Sequence, residues 1–142
     1  MYTALLHTHS GLRYLILALL LFTIFKSFIG WFQKSNYGKF DDKLALFSMI
    51  FIHIQLIAGI ALYIVSPKVQ LADMASTMKN SLLRYYTVEH LLMMLIVIAL
   101  VTVGRIVSKK KALDVQKHKT IAIYYGISFV LILVTVYMMM PS

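Results

Sequence analysis

The sequence predicts an all-α integral membrane protein, a four-transmembrane-helix bundle forming a single membrane domain over residues 1–142, with both termini on the non-cytoplasmic side. Three observations carry that prediction. Hydrophobic residues make up 61% of the chain and charged residues 13%, against about 25% charged in a typical soluble domain. Four apolar runs reach the roughly 20 helical residues needed to cross a ~30 Å hydrocarbon core. The basic residues collect in the short stretches between those runs.

The first span is expected from about Ser10 to Phe32 and the second from about Leu44 to Val65. The third runs from about Leu83 to Val107 and the fourth from about Thr120 to Met140. Helices are required, because an open strand in lipid leaves its backbone groups unpaired. Between the first two spans, residues 33–43 carry Asn36, Gly38, Asp41 and Asp42, a polar turn whose aspartates suit a helix N-terminus. Ser66-Pro67 ends the second span, since the residue before proline is pushed out of helical geometry. The longest connection runs from Lys68 to Ser81, with Asn80 or Ser81 as N-cap. Residues 108–119 form a basic linker containing Lys109-Lys110-Lys111. No Lys or Arg precedes the first apolar run, and no small-residue cleavage site follows it, so a cleavable signal peptide is not expected.

Orientation follows from the positive charges. The first and third connections with their flanks hold Lys26, Lys34, Lys39, Lys43, Arg105, Lys109, Lys110, Lys111, Lys117 and Lys119. The other side holds only Arg13, Lys68, Lys79 and Arg84. That asymmetry places the first and third connections in the cytoplasm. Lys26, inside the first run, snorkels toward the same surface. The net charge of +9 therefore marks topology and contact with anionic lipid headgroups, not nucleic-acid binding.

The composition also removes whole classes of chemistry. Without cysteine there is no disulfide, iron–sulfur cluster, thiolate zinc site or covalent haem attachment. The six glycines are scattered, so no phosphate-cradling loop forms, and no nucleophile motif occurs. No catalytic residue is assigned. In the second span Ser48, Gln55, Gly59 and Tyr63 recur at steps of seven, four and four, a small and polar stripe suited to close helix packing.

Besides Lys26, Arg84 and Arg105, the spans and their edges hold His9, Arg13, His53, Glu89 and His90, with His7 and His118 at the margins. Intramembrane ionisable groups mark structural pairs or function. Glu89 is expected to pair with Arg13 or Arg84, or to join a proton-accepting or haem-propionate neighbourhood near the outer surface. Several histidines among four spans, without catalytic Ser, Cys or acidic clusters, favour metal or haem ligation. Two axial ligands must face one iron at one depth, which makes His9 and His90 the best-matched pair. His53 lies about 13 residues from the outer end of its span, or ~20 Å, so His53 with His90 is the second choice; His7 is the substitute for His9. His118, between Lys117 and Lys119, reads as solvated or in contact with headgroups; as a ligand it would pair with His53 at a second, inner site. A zinc site would want further convergent ligands, and Glu89 is the sole acid within the spans.

The chain resembles a family of small four-span bacterial membrane proteins labelled cytochrome b-like. The resemblance rests on His9-x-x-x-Arg13-Tyr14, His53-x-Gln55 with Gly59, Ser66-Pro67, Arg84, Val88-Glu89-His90 with Met93 or Met94, Gly104-Arg105, and Lys117-His118-Lys119. It covers nearly the whole chain and implies haem b in a multi-pass protein of the bacterial cytoplasmic (inner) membrane. The expectation is a haem b electron carrier exchanging electrons with a quinone pool or other membrane subunits. Its cofactor-binding residues would be His9, His90, His53, Arg13 and Glu89, with His9 and His90 on the metal. Two other readings stand beside it: a non-redox accessory or scaffold subunit of a larger membrane complex, and a haem-free quinone- or lipid-binding protein.

Overall fold

A computed structural model describes residues 2–65, 72 and 74–139. Four helices long and apolar enough to cross a membrane form a bundle. They are α1 (Tyr2–Gln33), α2 (Lys39–Val65), α4 (Ser81–Lys109) and α5, which runs as α-helix over Asp114–Leu133 and continues as π-helix over Val134–Met139. A short α3 (Met74–Lys79) precedes α4. Within α4, a π-helical segment over Tyr85–Glu89 interrupts the α-helical ladder. The expected turn at Ser66-Pro67, and Lys68 after it, lie outside the described residues.

Every helix outruns the apolar run that announced it. The apolar run covers only part of each helix, which continues into polar flanking sequence. Thus α2 begins at Lys39 and holds Asp41 and Asp42 in its first turn, where carboxylates complement the exposed N–H groups of the helix. Asp41 also accepts from the Gly38 amide at 3.0 Å. Asn80 caps α4, its side-chain oxygen accepting from the Leu82 and Leu83 amides at 3.0 and 3.1 Å. α1 closes through Lys34 in the left-handed region, φ 54°, with the Ser35 amide donating to the Gly30 carbonyl.

The helices pack in the cyclic order α1, α2, α4, α5, so α1 and α4 lie on one diagonal and α2 and α5 on the other. The surface is apolar, with Phe25, Ile57, Ile64 and Met138 among its most exposed residues. The axis holds Leu20, Val97, Val101, Ile121 and Tyr125 together with Thr23, Ser48, Ser128 and Thr135. The polar stripe of α2 faces inward throughout. Ser48 pairs with Thr23 at 3.1 Å, Gln55 donates to the His9 carbonyl at 2.7 Å, Gly59 abuts the His9 ring, and Tyr63 donates to the Thr87 carbonyl at 2.7 Å. Lys26 bends along α1 to Asp41 at 2.7 Å.

His118 corrects the sequence reading: it is buried, not solvated, at 1% exposure. Successive residues on a helix diverge by about 100°, so Lys117 and Lys119 reach the Tyr37 and Trp31 rings while His118 between them turns inward onto Gly30. A β-carbon at Gly30 would collide with that ring. Gly30→Ala is therefore expected to cost roughly 1–3 kcal/mol through overpacking, measured by thermal unfolding in detergent. Gly11→Ala, which faces open space, is the control and should change little; equal effects would refute the packing assignment.

Candidate functional site

At the end of the bundle that carries the helix start of α1, a cavity opens between α1, α2, α4 and α5. Its wall includes His9, Arg13, Gln55, Gly59, Tyr63, His90 and Met94 among apolar side chains such as Ile16, Ile52, Leu56 and Val97. His9 and Arg13 share a face of α1 because they are four residues apart. Gln55 and Gly59 do the same on α2. His90 opens the α-helical part of α4, immediately after the π-helical segment, where its amide donates to the Tyr85 carbonyl.

The two imidazoles face each other from diagonally opposite helices. Their ring centres are 6.2 Å apart and their planes cross at 81°. Gly59 borders the His9 ring, and a β-carbon there would sit at ordinary van der Waals contact, 3.4 Å. Three buried polar atoms of cavity residues have no hydrogen-bond partner: His9 Nδ1, Arg13 Nε and Gln55 Oε1. Arg13 otherwise reaches only its neighbour, donating to the Tyr14 hydroxyl at 3.0 Å. Buried polar groups are normally paired, so this concentration of unpaired atoms in an apolar wall is the chemically distinctive feature of the molecule.

Of the residues expected at the site, the structure brings together His9, Arg13 and His90. His7 is exposed on α1. His53 is absent from the wall and bonds through Nδ1 to the Met49 carbonyl at 2.8 Å, within its own helix. Glu89 also lies off the wall; its carboxylate pairs with Arg84 at 2.8 Å. Of the two cations considered for it, Arg84 is the one it meets. Among the described residues, no group of three or more His, Cys, Asp or Glu is placed to hold a metal ion by itself. Gln55 and Tyr63 came to notice only as packing residues; their place on the wall depends on how α2 is rotated against α1, which one strand of sequence does not display.

A second polar cluster occupies the opposite end. Arg105, 6% exposed, donates to the Asp42 carboxylate and carbonyl at 3.0 and 3.2 Å. His118 donates through Nε2 to the Asn36 carbonyl at 3.2 Å and meets the Tyr37 ring edge-on. Tyr125 donates to the Ala45 carbonyl at 2.7 Å. This cluster ties the α1–α2 turn to α4 and α5.

No protein-family model, characterised protein or solved structure significantly matches the chain.

The second cluster yields a pH dependence. Burial, reinforced by the Asp42 carboxylate, pushes the Tyr37 hydroxyl up to about 12 from an ordinary value of about 10. The folded chain thus holds this proton more tightly than the unfolded chain. Its contribution is fully present below pH ~10 and is lost as pH rises toward the folded value. Thermal unfolding followed across that window should show the wild type losing more stability than Tyr37→Phe. Parallel curves would mean that Tyr37 titrates as an exposed tyrosine does.

Proposed function

We propose that this protein is a haem b-binding electron-transfer protein of the bacterial cytoplasmic membrane, with His9 and His90 as axial ligands near the non-cytoplasmic face. One observation carries the reading: two imidazoles on opposed helices, 6.2 Å apart, across an apolar cavity. Metal–imidazole bonds of ~2 Å, added to the two ring radii, put imidazoles that share one metal about 6 Å apart. A pair of protein ligands suffices when a macrocycle supplies the others, which is how b-type haem is held between helices. Bound haem would supply one-electron chemistry, its potential set by its ligands and by burial.

The remaining wall suits the same group. Its aliphatic side chains match a macrocycle face, and the Arg13 guanidinium, whose Nε has no partner, suits a carboxylate substituent. Orientation with the termini outward rests on the excess of positive charge at the opposite end. Exchange of electrons with a quinone pool or with other membrane subunits follows from a cofactor near that face.

A haem-free quinone site is the second reading, favoured by the unpartnered Gln55 and Arg13 atoms beside the two histidines. The scaffold reading draws less support. Arg13 bonds only its own neighbour and Glu89 pairs five residues away in its own segment, so neither ties two helices together.

The visible spectrum of protein expressed with added haem separates these readings. A Soret band with sharp reduced α and β bands is expected. His9→Ala and His90→Ala should each abolish the low-spin spectrum, and His53→Ala and His118→Ala should retain it. No Soret band in the wild type would sink the haem proposal; a low-spin spectrum surviving either His9→Ala or His90→Ala would show the pairing to be wrong. Co-purification with fixed subunits, lost on replacing Arg13 or Glu89, would point instead to a scaffold.

A further inference from the structure

Tyr85 lies directly behind His90. It is 2% exposed, and its hydroxyl oxygen is 2.8 Å from the Thr135 carbonyl oxygen and 3.4 Å from His90 Nδ1. The two rings are 5.5 Å apart. A carbonyl only accepts, so the bond to Thr135 takes the phenolic hydrogen. Toward His90 the phenol oxygen is then an acceptor, and the hydrogen between them belongs to Nδ1. The shorter distance decides the direction: the alternative, donation to an unprotonated Nδ1, would give up a 2.8 Å bond for a 3.4 Å one.

The π-helical segment creates this contact. Residues five apart diverge by about 140° on an α-helix of 3.6 residues per turn. Over Tyr85–Glu89 the ladder shifts to bonds between residues five apart, which swings the Tyr85 and His90 side chains to one side. The anchor comes from a second π-helical segment, Val134–Met139 of α5, which holds Thr135. Both π segments occupy the same end of the bundle as the cavity.

We propose that Tyr85, clamped by the Thr135 carbonyl, is the positioning residue of this site. It holds His90 as the Nδ1–H tautomer and leaves Nε2 with its lone pair available to a ligand. A partner on the remote ring nitrogen fixes tautomer and ring orientation and raises ligand basicity. His9 has no such partner, because its Nδ1 is buried and unpaired. The pair is thus asymmetric, with His90 the fixed member. The ligating role of Nε2 rests on the haem reading; the tautomer does not.

The test begins with metal-free full-length protein labelled with ¹⁵N-histidine, in detergent and mildly alkaline buffer. The His90 ring resonances are assigned by their loss in His90→Gln. In the wild type His90 should carry its proton on Nδ1, and Tyr85→Phe should move it partly or wholly to Nε2. An Nε2–H tautomer in the wild type would overturn the proposal, and that measurement stands even should the variant fold poorly. So would an unchanged tautomer in a Tyr85→Phe protein with native helical content. In haem-loaded protein, Tyr85→Phe should release haem to a competing apoprotein with an affinity weakened ~10–100-fold, and unchanged retention would overturn the positioning role. A wild type that takes up no haem sinks the haem reading alone, and the tautomer then decides the role of Tyr85.

Discussion

Inside a bilayer a polar side chain finds its partner within the protein or goes without one, and the rest of this bundle follows from that constraint. Lipid takes the outward-facing Phe, Ile, Leu and Met side chains, and the hydroxyls turn toward the axis. Four of those hydroxyls bond the carbonyl four residues back: Thr23 to Leu19, Thr120 to Gln116, Ser128 to Tyr124, Thr135 to Leu131. Such bonds satisfy the hydroxyl without involving a neighbour. Other bonds cross between helices, among them Thr23 with Ser48, Gln55 with the His9 carbonyl, Tyr63 with the Thr87 carbonyl, Tyr85 with the Thr135 carbonyl, Tyr125 with the Ala45 carbonyl and Arg105 with Asp42. Because lipid offers no hydrophobic drive for helices to associate, these bonds and close packing at small residues are what specify register.

Measured by the same constraint, the two ends of the bundle differ. At the end of the α1–α2 turn, Arg105, Tyr37, Tyr125 and Lys26 each have a defined contact, and the one unpaired buried side-chain atom there among the described residues, His118 Nδ1, belongs to a ring pressed onto Gly30. There the polar groups hold structure. At the other end His9, Arg13 and Gln55 leave atoms unpaired around open space. Unpaired buried polar groups are destabilising by about 1–3 kcal/mol each, and three of them gather at this one cavity with no protein partner to relieve them.

How much of this was legible in the sequence depended on whether one helix or two were needed to see it. Single-helix features came through: the four spans, the Asn80 cap, the aspartates at the start of α2, and the inward stripe of Ser48, Gln55, Gly59 and Tyr63. The full helix lengths did not, because an apolar run stops where polar residues begin and the helix does not. The facing of His9 and His90 was reachable from depth alone. His118 was misread because its two lysine neighbours suggested solvent, whereas the hole that receives it is Gly30, more than eighty residues earlier. Tyr85 was invisible for a geometric reason. Five-residue spacing carries no meaning on an α-helix, and nothing in Tyr85-Tyr86-Thr87-Val88-Glu89 announces that the ladder there is π-helical.

The diagonal placement of the two histidines gives the site a mechanical meaning as well as a chemical one. Neighbouring helices are joined by side-chain bonds and packing, but α1 and α4 face each other across the axis with few direct contacts. A group ligated by both His9 and His90 would join two helices that, among the described residues, share few direct contacts. Binding to the folded state alone stabilises it, so occupancy and bundle integrity would be coupled through these two side chains. Among the described residues, both π-helical segments lie beside that junction, as do three of the four unpaired buried side-chain atoms. Irregular backbone is costly in lipid unless it is shielded by protein, and here it places Tyr85 where an α-helix could not. The departures from regular helix and from full polar pairing therefore converge on one end of the molecule, around His9 and His90.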